Sequence, residues 1–278
     1  MDTTTELTRH QHPLGAIAPE YRASPWSISR GKRLLDLIGA ILLLIPAAPV
    51  MALLALGVRL SSPGPALFRQ RRPGRDGMEF DILKYRTMVA DATASGPAMT
   101  LAADPRITPL GRFMRRWKLD ELPQLFNVLR GEMSLVGPRP LPLAHWQLFC
   151  ARPDARSTLS VRPGITGAAT LQFLNEEKLL ASLPVERLSE IYRDGIMPMK
   201  FSVDGEYLAR ATFASDLRLL LTTVLRIFRL ASQVPNVQIR QSLLERGTAT
   251  LPREPEATFR DINRRQDVPE AGATSGTR

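Results

Sequence analysis

The sequence predicts an α+β protein: a mostly helical cytosolic body with a few short strands, an N-terminal re-entrant membrane helix and interfacial amphipathic helices. Three observations predict it. An apolar run interrupted by two prolines lies between basic flanks, helix start and stop signals recur through the body, and only brief stretches alternate as a strand does. The chain has 278 residues, 44% of them hydrophobic, which supplies a core and excludes a wholly disordered protein. Its formal charge of +10 points to anionic partners: nucleic acid, phosphorylated substrates or acidic lipid headgroups. The single cysteine, Cys150, excludes an intrachain disulfide framework and argues against a cysteine-rich zinc site. His10 and His12 fall in a polar leader, so His145 is the one histidine of the body, and acid/base chemistry falls to carboxylates.

Composition divides the chain into a disordered leader (1–24), a membrane-associated re-entrant helix (25–60), a cytosolic domain (61–246) and a disordered tail (247–278). Acids and arginines cancel in the tail, so the surplus charge belongs to the body. Residues 26–90 alone hold roughly ten Lys and Arg against four acids. From Leu37 to Val58 about 22 residues carry no charge, enough for roughly 33 Å of helix. Pro46 and Pro49 sit at its middle, and each costs a straight helix about 3 kcal/mol through a lost N–H and a steric clash. Arg30, Lys32 and Arg33 precede the run, and Arg59, Arg69, Arg71, Arg72 and Arg75 follow it. The positive-inside rule places both flanks in the cytoplasm, which predicts a helix that enters the inner leaflet, bends at the prolines and returns. A single kinked span and a buried core helix are the competing readings.

In FDILKYRTM, alternation predicts a short strand delivering Lys84 and Arg86 to its end, where two cations can meet a diphosphate or form an ordinary basic edge. Thr108 and Pro109 read as the cap and first position of a helix that carries Arg112, Arg115, Arg116 and Lys118. Asp120 and Glu121 precede Pro123 and begin a second helix, closed by Arg130 and Gly131. A carboxylate at a helix start is held in its charged form, as a nucleophilic aspartate requires; it also serves as a plain cap. Arg218, Thr222, Arg226 and Arg229 form one polar stripe on a later apolar helix, suited either to the headgroup plane or to capping the soluble core.

In their order, the motifs KRLLDLIGAILLLIPAAPV, SSPGPALFRQRRPG, FDILKYRTM, LDELPQLFNVLRGEMSLVGPRP and VRPGITG resemble the bacterial sugar transferases, the monotopic polyprenyl-phosphate phosphoglycosyl transferases. The resemblance runs from about Arg33 to Phe228. It implies an enzyme of the bacterial inner membrane, with its catalytic body on the cytoplasmic face, that starts exopolysaccharide, capsule or O-antigen assembly. By motif, Asp120 is the nucleophile that takes a phosphosugar from a UDP-sugar with release of UMP, Glu121 is its acidic partner, and polyprenyl phosphate accepts the product. Mg²⁺ is the implied cofactor, with Asp120 and Asp204 as candidate ligands. Lys84, Arg86, Arg112 and Arg116 are the nearest phosphate-binding cations.

Arg139 in VGPRP and Arg162 in VRPGITG fit the same role by resemblance; read alone, both motifs are rigid turns. Two departures stand out. Ala48-Pro49 replaces the family's Ser-Pro, and the run after VRPGITG differs from the relatives, with an acidic pair, Glu176 and Glu177, that reads as a solvated helix start. Anionic lipid joins UDP-sugar and polyprenyl phosphate among the expected partners. A basic membrane-tethered protein for nucleic acid or acidic polymer is the alternative; it leaves the acidic dyad idle, and the chain has no zinc finger or RNA-recognition motif.

Overall fold

Ser29 opens the longest element, its side chain accepting a hydrogen bond from the Lys32 amide at 3.0 Å. The structure, a computed structural model, describes residues 22–89, 104–174, 176–181, 183 and 187–229; the expected leader up to residue 21 and the expected tail lie outside the described residues. Helix α1 (Arg30–Ser61) is continuous through both Pro46 and Pro49. A proline removes one N–H and leaves the donors of the flanking turns in place, so it bends a helix without having to end it. The helix is long and apolar enough to cross a membrane, and only 17% of its most apolar window is buried, which sets aside the buried core helix.

Both ends of α1 are fastened to the same body. Near the N-terminus Lys32 pairs with Asp36 at 3.0 Å and with Asp216 at 3.1 Å. Asp36 also accepts from Ser134 Oγ at 2.9 Å and from the Leu135 amide at 3.0 Å. Near the C-terminus Tyr85 Oη donates to the Met51 carbonyl at 2.8 Å, and Arg86 donates to the carbonyls of Ser62 at 2.7 Å, Val58 at 3.5 Å and Pro63. Between these anchors Ile41, Leu42, Leu43, Ile45 and Val50 are exposed, with Pro46 and Pro49 among them.

Strands β1 (Leu67–Pro73) and β2 (Glu79–Tyr85) form an antiparallel hairpin in which Leu67 faces Tyr85 and Pro73 faces Glu79. Alternation buries Phe80 and Ile82 of β2 and leaves Glu79 and Asp81 in solvent, as the pattern predicts. Helix α2 (Pro109–Arg116) starts at Thr108, whose Oγ1 accepts from the Gly111 amide at 2.9 Å. A tight turn over Leu119–Glu121 then leads to α3 (Gln124–Arg130), which Gly131 closes at φ 85°. The two Pro-Gly motifs meet as a parallel pair, β3 (Ser134–Val136) against β4 (Gly164–Thr166). A side chain at Gly164 would overlap the Gly137 backbone, which is why glycine stands there.

Short helices α4 (Leu143–Phe149), α5 (Pro153–Ser157), α6 (Ala168–Gln172) and α7 (Glu176–Ala181) follow. Helix α8 (Leu188–Glu190) runs through a π-helical turn, Ile191–Ile196, into α9 (Met197–Arg210), and α10 (Phe213–Arg229) ends the described chain. One hydrophobic cluster joins Ala40 of α1 to Ile82, Val128, Leu135 and Leu219, and a second joins Met51, Leu54 and Val58 to Tyr85 and Met114. A third, around Phe149, Ile196 and Phe201, fills the space between α4, α7 and α9. Helix α10 packs through Asp216 and Leu219, while Phe213, Leu217, Leu221, Val224, Leu225 and Phe228 are exposed. The polar stripe expected there therefore accompanies an exposed apolar one; the side chain of Arg229 lies outside the described residues.

Candidate active site

Lys118 adopts a left-handed conformation (φ 55°), which ends α2 and swings the next three residues into the tight turn that carries the acidic pair. Asp120 and Glu121 are thus set ahead of α3 and not in its first turn, as the sequence reading has it. Both are buried, 8% and 9% exposed, yet their environments differ. Glu121 is fully paired: Arg139 grips both its oxygens, one at 3.2 Å, and Lys84 Nζ donates to Oε1 at 3.3 Å. Burial alone would raise its pKa, but Arg139 and Lys84 outweigh burial and hold the carboxyl well below the usual range. Asp120 keeps Oδ1 buried with no hydrogen-bond partner. Burial, then the neighbouring Glu121 charge, push its pKa up against the pull of Lys84, Lys118 and Arg115. A charged form stabilised by a helix start is therefore not what Asp120 experiences. The dipole acts within the first turn of a helix, and α3 begins four residues later.

Beyond Arg139 the surface opens into a cavity of about 220 Å³, whose walls include Arg72, Arg139, His145, Tyr192, Lys200 and Asp204. Arg72 donates to Gln70 Oε1 at 2.7 Å and to the Pro140 carbonyl, while its Nε is buried without a partner. Burial and then the adjacent Arg139 draw the Arg72 pKa down to about 9. Burial likewise lowers Lys84 to about 8, with Glu121 opposing. Asp204 Oδ1 accepts from the Ala169 amide at 3.0 Å, and burial raises its pKa to about 7. Arg72, Arg139 and Lys200 thus outnumber the cavity's carboxylates, Glu176 and Asp204, and Asp204 is pushed toward neutrality. A pocket in this state draws an anion.

Of the residues expected at a phosphate site, the fold brings Lys84 and Arg139 onto Glu121. Arg86 instead caps the C-terminus of α1, because β2 ends at Tyr85 and the next residue turns toward the helix. Arg162 donates to the Gly131 carbonyl at 2.8 Å and neighbours Arg33 and Arg75, away from the acidic pair. Arg112 and Arg116 are exposed on α2. Glu176 does begin a helix, but it is not simply solvated: it accepts from the buried Lys200 at 2.9 and 3.0 Å; the Glu177 side chain lies outside the described residues.

Arg72, Lys200, Tyr192 and Gln124 escaped the sequence reading as site residues. Arg72 was legible only as part of the basic flank of α1. Gln124 is completely buried with both amide atoms unpartnered. As for metal, no three His, Cys, Asp or Glu side chains cluster as a binding site among the described residues. The Asp120 carboxyl oxygen that lacks a hydrogen-bond partner is of the donor type that Mg²⁺ takes.

The bacterial sugar transferase family model matches residues 28–230. A UDP-glucose:undecaprenyl-phosphate glucose-1-phosphate transferase of Caulobacter vibrioides is 41% identical over 194 residues, 69% of this chain and 68% of that protein. One of the same name from Escherichia coli K12 is 36% identical over 198 residues, 71% of this chain but 40% of that protein. An exopolysaccharide production protein of Rhizobium leguminosarum is 34% identical over 198 residues, covering 69% and 92%. With the acidic turn, its Arg139 clamp and the paired Pro-Gly strands inside the matched region, the chain belongs to the bacterial sugar transferase family.

Proposed function

We propose that this chain is a phosphoglycosyl transferase that moves a sugar 1-phosphate from a UDP-sugar to polyprenyl phosphate, the initiating step of an exopolysaccharide, capsule or O-antigen. One observation carries the reading: Asp120 keeps a buried carboxylate oxygen without a partner, while Glu121 beside it is locked by Arg139 and Lys84. Desolvation leaves the Asp120 oxygen a stronger nucleophile than a hydrated carboxylate, and the surrounding cations oppose its loss of charge.

In the first step the Asp120 oxygen forms a bond to the β-phosphorus as the bond to the α-phosphate oxygen breaks, and UMP leaves with that electron pair. In the second, a phosphate oxygen of the polyprenyl carrier attacks the same phosphorus and Asp120 departs as carboxylate. Arg139, Arg72 and Lys84 hold the diphosphate oxygens, while Glu121 fixes Arg139 and Lys84 in place. Asp120, with Asp204 as a further candidate, would hold Mg²⁺, which when bound would neutralise charge on the diphosphate.

Membrane placement follows the same reading. Both ends of α1 are tied to one body while its middle is exposed and apolar, which supports a re-entrant helix at the cytoplasmic face of the inner membrane. The exposed apolar row of α10 suits an interfacial position beside anionic lipid.

The test is UMP release from UDP-glucose by the full chain in membranes supplied with polyprenyl phosphate and Mg²⁺. Release that disappears in Asp120→Asn, together with a phosphosugar adduct on the Asp120 peptide of the wild type, is expected. Full turnover by a folded Asp120→Asn protein would remove the nucleophile.

A further inference from the structure

The cavity beside Arg139 is chemically two-sided. Its cationic wall, Arg72 and Arg139, suits phosphate. The same cavity holds a carboxylate, Glu176, which repels phosphate and accepts hydrogen bonds. Lys200, buried at 7% exposure, donates to both Glu176 oxygens and so fixes the orientation of the carboxylate. An ionised carboxylate has about four acceptor sites, and Lys200 fills two, leaving capacity for hydroxyl donors. Arg139 and Glu176 both line this cavity, so the acceptor and the phosphate clamp belong to one space. Leu180, Tyr192 and Met197 supply an apolar and aromatic lining. At about 220 Å³ the cavity is smaller than the roughly 300–1,000 Å³ that encloses a whole drug-sized ligand; it suits one ring and not an entire nucleotide sugar.

Vicinal hydroxyls are the matching chemistry, and a UDP-sugar carries them on both its ribose and its hexose. Position favours the hexose. The hexose is bonded to the β-phosphate that Asp120 attacks, whereas the ribose lies a second phosphate away. Glu176, Leu180, Tyr192, Met197 and Lys200 also all come from the run after Gly167 that departs from the family pattern, where a donor-specific element belongs.

We infer that the cavity between α4, α7 and α9 is the sugar pocket, and that Glu176, held by Lys200, sets donor specificity by accepting hexose hydroxyls. This rests on the phosphoglycosyl transferase reading above. A charge-assisted hydrogen bond of this kind is worth about a 10- to 100-fold change in affinity.

The experiment titrates UDP and UDP-glucose into the full chain in lipid nanodiscs, on an Asp120→Asn background that blocks turnover. Glu176→Gln is expected to weaken UDP-glucose about 10- to 100-fold and to leave UDP within about twofold. Because Glu176→Gln strands the buried Lys200 charge, the paired change Glu176→Gln with Lys200→Met is measured beside it and is expected to give the same split. Equal weakening of UDP and UDP-glucose would assign the cavity to ribose, and unchanged binding of both would remove Glu176 from the site; either overturns the inference. If those results come with UMP release by the protein with Asp120 intact, only the sugar pocket is lost. A wild type that neither binds UDP nor releases UMP from any UDP-sugar would overturn the enzyme reading and this one with it.

Discussion

Arg139 clamps Glu121 through both guanidinium nitrogens, and in doing so it joins the acidic turn to the cationic wall of the neighbouring cavity. Replacing it with lysine keeps the charge and loses the fork that holds two oxygens at once. Arg139→Lys is therefore expected to lower kcat/KM by about 10- to 100-fold while the protein still folds. Steady-state UMP release alongside a thermal unfolding curve checks this. An unchanged kcat/KM would mean that a point charge suffices.

Arg86 carries the opposite expectation. Its guanidinium caps the last carbonyls of α1, and Gly64, at φ +109°, passes so close that an added Cβ would run into Nη1. Arg86→Ala is expected to cost about 2–3 kcal/mol of stability, and Gly64→Ala at least about 1 kcal/mol, with little change in kcat per folded molecule. Denaturant unfolding and active-site-normalised rates separate the two effects. Loss of kcat/KM at unchanged stability would instead put Arg86 on the substrate.

His145 should give the fold a dependence on pH. Burial, then the nearby Arg72 charge, lower its pKa to about 4, and its ring meets Tyr192 edge-on at 6.3 Å. Unfolded, the imidazole titrates near 6.5. Between those values the unfolded chain binds the proton and the folded one does not, so stability is complete above about pH 6.5 and falls toward pH 4, by up to about 3 kcal/mol. Asp204, raised to about 7, contributes the opposite slope over the same range, so unfolding midpoints measured from pH 4 to 7 should rise less with pH in His145→Gln than in the wild type. An equal slope in both would assign the dependence to other groups.

What the sequence made legible was whatever lay in one contiguous motif. The α3 stop at Gly131 reads directly, because a helix end is a local event, whereas the separate turn that carries Asp120 and Glu121 ahead of α3 depends on the left-handed Lys118. Lys84 and Arg86 have the same parity, and periodicity could not say that the strand would end between them. The Glu176–Lys200 pair spans 24 residues, and Arg72 reaches the Pro140 carbonyl 68 residues away, so neither contact leaves a local signal. The environment of Asp120 is hidden for a related reason. Its helix-start position is a local inference, whereas burial and the crowding of Glu121 are tertiary ones.

The two ends of α1 allow a direct test of how it sits in the bilayer. A straight 32-residue helix is about 48 Å long, and the hydrocarbon core it would cross is about 30 Å. Crossing would put Arg30 and Leu60 on opposite faces of the membrane. In the re-entrant reading the helix does not cross, since Asp36 is hydrogen-bonded to Leu135 and Met51 to Tyr85 of one folded body. With Cys150 replaced by serine, cysteines introduced singly at the exposed positions Arg30 and Leu60 should both react with an impermeant maleimide in inside-out inner-membrane vesicles and neither in intact spheroplasts. Replacing Pro46 and Pro49 with alanine removes about 3 kcal/mol of helix cost at each. It is expected to bring the Leu60 site partly within reach from outside, because a straightened helix competes with the anchors at Met51 and Val58. Labelling of the two wild-type ends from opposite faces would make α1 a span, and the contacts at one of its ends would then have to break in the membrane.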